Sequence, residues 1–266
     1  MCYNTKHTRS VKDKEIYYRV GLYPKQEDSR AAFDIPMYHN NGFLHANQLI
    51  IPQEAPQYLI VAKWGIVPET IEPENVNEYY KGQRQWGEGL NAQSEKAFGH
   101  YFYNYNEAIL HRRCIIPVDG FYESHKLPNK VSVPFHFKKK DDGPMSLAGI
   151  YSVLRGGLCT YSIFTKKATP LFKEIHNTKN RQPLMLGESE TKLWLDRNTS
   201  ENDLHAILRY DYNNSELDAY PISRDFNRRT VDTNYPDITN KVDYFKDTSD
   251  IKGFDLSTYK YKHLFE

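Results

Sequence analysis

"RCIIPVDGFYES", residues 113–124, is the stretch on which the fold turns. It reads as an apolar strand with two acids, Asp119 and Glu123, just beyond its hydrophobic run. Three more strand-like runs follow at close intervals: "VPFHFKKK" (133–140), "MSLAGIYSVL" (145–154) and "LCTYSIFT" (158–165). Turn signals separate them, namely Leu127-Pro128-Asn129, Asp141-Asp142-Gly143-Pro144 and Gly156-Gly157. Connections this short favour antiparallel pairing over βαβ crossovers. Upstream, "QYLIVAKWGIVP" (57–68) reads as a buried strand bounded by Gly65 and Pro68, and "SEKAFGHYFYNYNEAILHRR" (94–113) as broadly helical. Downstream, Ser200 caps a helix in "SENDLHAILRY", whose Leu204, Ile207 and Leu208 share one face, and a second helix runs through "ETKLWLD". Residues 1–48 read as polar and irregular, and 247–266 as a loosely docked tail. The expectation is one α+β domain over residues 1–266, with a curved, largely antiparallel, barrel-like sheet and flanking helices.

Composition narrows the function classes. The 266 residues can bury a substantial core, and 21 tyrosines supply rigid amphipathic surface. A net charge of +1 gives no global sign of a nucleic-acid partner, so any such partner needs a local basic patch. Apolar runs stay well short of the roughly 18 residues of a membrane span, and the first 30 residues are too polar for a signal peptide. A cytoplasmic protein is expected. Cys2, Cys114 and Cys159 are odd in number and widely spaced, which argues against a disulfide framework and against a metal site. No cofactor is called for, and the oligomeric state is left open.

Five places carry reactive groups. Cys2, if Met1 is removed, presents an α-amine with a pKa of about 7.7–8.0 beside a thiol of about 8.5, so both are nucleophilic near neutral pH. With an aldehyde such a 1,2-aminothiol closes a thiazolidine ring. Asn91 in "LNAQSE" can donate and accept, and Glu123 sits where partial burial would raise its pKa into the range for proton transfer. His176 lies in "PLFKEIHNTKNRQPLML" near Lys173, Lys179 and Arg181, and Arg224 lies in "YPISRDFN". Each has a plain structural counterpart: a frayed terminus for Cys2, a turn or cap for Asn91, a solvated strand end for Glu123, and a core-edge imidazole for His176.

Taken together and in order, these segments resemble the SOS response-associated peptidase (SRAP) family. The resemblance runs through Met1-Cys2, "KWGIVP", "NAQSE", "RRCIIPVDGFYES", "LAGIYS", "IHN…RQPLML" and "YPISRDFN", with "RCIIPVDGFYE" the most specific. It implies a protein that processes abasic sites in single-stranded DNA, with SOS-response and nucleoid associations. Cys2 would attack the ring-opened sugar aldehyde and end in a thiazolidine cross-link, and Asn91 would hold the terminal residue or the sugar. Glu123 would act as general acid and base, and His176 would open the sugar and shuttle a proton. Peptidase activity, including self-removal of Met1, and lyase activity belong to the same implication.

For the DNA strand, Trp64 and Trp86 are candidate stacking platforms, with core packing as the competing reading. Arg113, Lys166, Lys167, Arg181 and Arg224 are candidate phosphate contacts. Gln93 stands where the family usually has an arginine, Ser124 where an aromatic residue commonly follows the acid, and "FLHANQ" where an Asn-Val-Ala-Pro element is expected. "NTKN" reads as a short insertion before Arg181. Two other classes stay open: an N-terminal-nucleophile amidohydrolase with Asn91 in its oxyanion hole, and a noncovalent DNA-binding scaffold.

Overall fold

The computed structural model describes residues 2–82, 87–99, 103–228 and 230–266, so Met1 and Trp86 lie outside the described residues. The described strands are, in chain order, β1 (Asn4–His7), β2 (Gly21–Leu22), β3 (Met37–Asn41), β4 (Asn47–Pro52), β5 (Tyr58–Trp64), β6 (Asn91–Gln93), β7 (Arg113–Val118), β8 (Gly120–Lys126), β9 (Ser132–Lys139), β10 (Met145–Val153), β11 (Cys159–Lys167), β12 (Arg181–Pro183), β13 (Met185–Leu186) and β14 (Leu217–Pro221). The described α-helices are α1 (Val11–Tyr18), α2 (Arg30–Phe33), α3 (Val76–Lys81), α4 (Tyr103–His111), α5 (Pro170–Ile175), α6 (Glu188–Leu195) and α7 (Glu201–Ile207).

The strands form one α+β domain. β11 pairs antiparallel with β10, β10 with β7, β7 with β4 and β4 with β5. β5 then pairs parallel with β11, from Cys159↔Ala62 to Tyr161↔Trp64, and closes the ring. Closure removes the open edges that would otherwise template aggregation. The second sheet is antiparallel, in the order β14-β9-β8-β1-β3.

The 113–124 stretch joins the two sheets. β7 is buried at every residue because it runs in the barrel wall, and the chain then crosses at Asp119 into β8 of the second sheet. Gly120 is required at the crossing, since a Cβ there would run into the His136 imidazole and the Phe137 carbonyl. Asp119 is committed to structure: it accepts from the backbone N–H of Thr8 (2.5 Å) and Arg9 (2.8 Å) and pairs with the Arg9 guanidinium at 3.1 Å.

The antiparallel succession, the β5 strand and the Ser200-capped helix match expectation, with the Ser200 hydroxyl accepting from the Asp203 N–H at 3.2 Å. Residues 1–48 differ: they hold three strands and part of a fourth, together with two helices. The buried positions of β1 and β3 are filled by hydrogen-bonded polar residues, Thr5 to His7 at 2.9 Å and Asn40 to Thr5 at 3.3 Å, so hydropathy carries no signal for these strands. The 247–266 segment also differs from a loose tail. Its Ile251, Leu256 and Phe265 are buried in the main core, spaced too irregularly to form a recognisable periodic face.

Several histidines are buried in the neutral form. Burial lowers the pKa of His7 to about 3, His39 to about 4 and His136 to about 3. A base depressed in the folded state contributes stability that is whole above the unfolded pKa of about 6.5 and drains away as pH falls toward the folded value. Each such group can remove up to about 1.4 kcal/mol per pH unit in that window. The urea midpoint should therefore fall steeply between pH 6.5 and 4; a midpoint constant across that range would contradict the burial of these rings.

Candidate active site

The amino-terminal strand delivers Cys2 to the interior. β1 lies between β8, with Thr5 opposite Phe121 and Lys6 opposite Gly120, and β3, with Thr5 opposite Asn40. Continued backwards, that register brings Tyr3 level with Glu123. Cys2 is fully buried in the core cluster that also holds Trp64, Leu90, Phe121 and Ile163. Burial, reinforced by the nearby Glu123 charge, pushes its thiol pKa up. Tyr3, unremarked in the sequence, packs on Phe43 with ring centroids 4.8 Å apart, and its hydroxyl is pushed up to about 12 by burial and by Glu123. An aromatic beside the terminal cysteine was the available signal.

Glu123 on β8 and His176 at the C-cap of α5 meet, His176 Nδ1 lying 3.1 Å from Glu123 Oε2. The same Nδ1 is 3.0 Å from the Arg181 carbonyl oxygen, which can only accept, so Nδ1 carries the hydrogen and Nε2 is the basic nitrogen. Burial raises the Glu123 pKa to about 8 and lowers that of His176 to about 4. At neutral pH the contact therefore joins a carboxylic acid to a neutral imidazole and is not an ion pair.

Asn91 stands on β6, opposite Ile163 of β11. Thr165 pairs with Gln93 on one side and with Pro183 on the other, so β11 carries Asn91 along one edge and β12, with the Arg181 that bonds His176, along the opposite edge. Among the described residues, both polar atoms of the Asn91 side chain are buried without a hydrogen-bond partner, as is the Tyr161 hydroxyl on β11. An orphaned buried polar group costs about 1–3 kcal/mol, and such a cost is expected where a ligand completes the pairing. Tyr161 was not singled out in the sequence, because a tyrosine inside an apolar strand gives no sign that its hydroxyl is unpaired. Among the described residues, no cluster of His, Cys, Asp and Glu is arranged to hold a metal ion.

Comparison with known proteins decides the family. The SOS response associated peptidase (SRAP) profile matches residues 1–229. The chain belongs to the SRAP family. Among SRAP relatives, "Abasic site processing protein YoqW" of Bacillus subtilis is 26% identical over 218 residues, 77% of this chain and 91% of that protein. "Abasic site processing protein YoaM" of the same organism is 27% identical over 219 residues, 77% of this chain and 90% of that protein. A solved protein of Bacteroides thetaiotaomicron superposes with a TM-score of 0.76 at 26% identity, covering 91% of this chain and all of the other.

Within this SRAP domain, several residues expected to touch DNA are structural. Trp64 is fully buried, and its indole N–H donates to the Leu90 carbonyl at 2.9 Å, so it is a core residue. Arg113 is 1% exposed, and its guanidinium donates to the carbonyls of Trp194, Ile109, Leu110 and Asp196 at 2.6–2.9 Å. Lys166 is buried and donates to the Arg209 and Tyr210 carbonyls and to Asp211. Arg224 donates to the Ser132 and Asp250 carbonyls. Their charges are engaged within the fold, which the spacing of basic residues in a sequence cannot reveal. Arg181, half-buried, forms a fork with Glu95 at 3.0 and 2.9 Å, and Gln93 is half-buried on β6. Lys167 is the exposed member of the set.

One consequence is testable. Arg113→Met should cost about 3 kcal/mol or more, because it strands the carbonyls the guanidinium serves. Thermal melting should show the loss, and an unchanged melting temperature would contradict this structural role.

Proposed function

We propose that this SRAP protein captures abasic sites in single-stranded DNA covalently through Cys2. The observation that carries the reading is that β1, held between β8 and β3, brings Cys2 into the field of Glu123, which itself contacts His176. The names of the Bacillus relatives support the substrate class. The reading requires removal of Met1, by the protein itself or by another peptidase, so that the Cys2 amine is free.

The chemistry then follows from the protonation states. The neutral imidazole of His176, basic at Nε2, takes the anomeric hydroxyl proton as the ring C–O bond breaks and returns a proton to the released ring oxygen, giving the open-chain hydroxy-aldehyde. The Cys2 amine adds to the carbonyl carbon, forming a C–N bond and a carbinolamine. Glu123, a carboxylic acid near pH 7, protonates the departing hydroxyl, water leaves, and a protonated imine (iminium) that keeps the amine's remaining N–H is formed. The Cys2 sulfur adds to the iminium carbon as the Glu123 carboxylate accepts the thiol proton, and the C=N electron pair returns to nitrogen, leaving a neutral thiazolidine that keeps its N–H. Asn91 supplies the unpaired amide that holds the sugar oxygen or the terminal residue. Burial of the thiol keeps it protonated and inert until a carbonyl arrives beside it.

The test begins with an intact-mass measurement that verifies loss of Met1. The processed protein is then incubated with a single-stranded oligonucleotide bearing one abasic site. A denaturation-resistant adduct is expected. Amide turnover without an adduct would favour an N-terminal-nucleophile hydrolase, and reversible binding alone a scaffold.

A further inference from the structure

The segment that follows the SRAP match reaches back to the acid–imidazole pair. His125 shares a strand face with Glu123 two residues earlier on β8, and it is fully buried. Its Nδ1 lies 2.7 Å from the Glu174 carbonyl oxygen, two residues before His176 on α5. That carbonyl can only accept, so Nδ1 donates and Nε2 must accept, which it does from the Tyr259 hydroxyl at 2.8 Å. The Glu174 carboxylate in turn meets His263 Nε2 at 2.8 Å. The rings of Tyr259, Tyr261 and Phe265 surround His125 at centroid distances of 5.7, 5.7 and 5.9 Å. Asn129, beyond β8, donates to the Ile251 carbonyl at 2.9 Å, anchoring the start of the same segment.

Three rungs join β8 to the end of α5: in one, the Asn177 side chain accepts from the Lys126 N–H at 3.0 Å and donates to the Lys126 carbonyl at 2.8 Å, and the other two are built on histidines. Of those two, one is the reactive contact of Glu123 with His176; the other is His125 with Glu174, and its far side is held by residues 251–265. We propose that this carboxy-terminal segment is a brace that sets the separation of Glu123 and His176, with Tyr259 and His125 as positioning residues. Neither touches the reacting atoms; each acts by fixing the end of α5 against β8. The charged and titratable groups that face His125 are Glu174 of α5 and Tyr259, Lys260 and Tyr261 of the segment, and burial holds the ring neutral. A change of about half an ångström in a proton-transfer contact is enough to alter its rate, which is why a remote hydrogen bond matters here.

The activity arm rests on the covalent-capture reading, so the experiment carries a second readout that does not. Tyr259→Phe keeps the ring packing and removes one hydroxyl. In the full-length processed protein, the nitrogen resonances of His176 are compared between wild type and variant, and adduct formation is followed against pH below the melting temperature. The expected result is a displaced His176 signal, a rate lower by roughly 3- to 10-fold, and a shifted pH profile, with unchanged affinity for an undamaged single strand. A segment that only stabilises the fold would lower the melting temperature and leave the signal and the profile where they were; either one unmoved overturns the brace. If the wild type itself forms no adduct, the capture reading fails and the His176 comparison alone decides the brace.

Discussion

Cys2→Ala should yield a folded protein that forms no denaturation-resistant adduct with an abasic strand. In the proposed capture the sulfur is one of the two atoms that close the thiazolidine, and an amine alone stops at an imine that water reverses. The alanine variant still has an α-amine once Met1 is removed, so a transient species trappable with borohydride should persist while the stable product disappears. Stability should change little: the site loses one buried sulfur from a cluster shared with Trp64, Leu90 and Phe121, a cost of about 1 kcal/mol. An adduct that survives denaturation in the alanine variant would end the proposal.

Glu123→Gln separates chemistry from binding and from stability. The amide keeps the shape and polarity of the acid but cannot transfer its proton, so adduct formation should slow by about 10²- to 10³-fold while single-strand affinity stays within about 2-fold. The wild-type rate should decline as pH rises through about 8, where the buried carboxyl gives up its proton, and the glutamine variant should lose that limb. Stability moves the other way. A carboxyl whose folded pKa is raised from 4.5 to about 8 is most favourable below the unfolded value, and its contribution is lost as pH rises toward 8. The variant should therefore melt at the same or a higher temperature than wild type at pH 8, while reacting far more slowly. Equal reaction rates in the two proteins would remove Glu123 from the mechanism.

Neither result depends on the phosphate contacts, which the structure revises most. Arg113, Lys166 and Arg224 look alike in sequence with Lys167, yet three of the four side chains spend their donors on backbone carbonyls. A cation's partners are set by which carbonyls the fold leaves unpaired, and helix ends such as that of α6, whose Trp194 carbonyl accepts from Arg113, are assembled only in three dimensions.

What the sequence determined by itself was whatever rests on local pattern. The apolar run at 114–118, the short turns after 126, 140 and 155, and the Ser200 cap specify strands, antiparallel neighbours and a helix start, because side-chain alternation and turn chemistry act over a few residues. The order of Cys2, Asn91, Glu123 and His176 in recognisable segments likewise identified the candidate chemistry. Tertiary structure alone decided the rest. β1 exists because β8 and β3 supply partners for a polar strand, the barrel closes because β5 meets β11 from far along the chain, and Asn91 and Tyr161 are orphaned by how those strands pack. The raised pKa of Glu123 and the lowered one of His176 come from burial that only the assembled fold supplies. Pattern is written in neighbouring residues, whereas desolvation and unmet hydrogen bonds are properties of a surface that forms only when remote stretches of chain close over it.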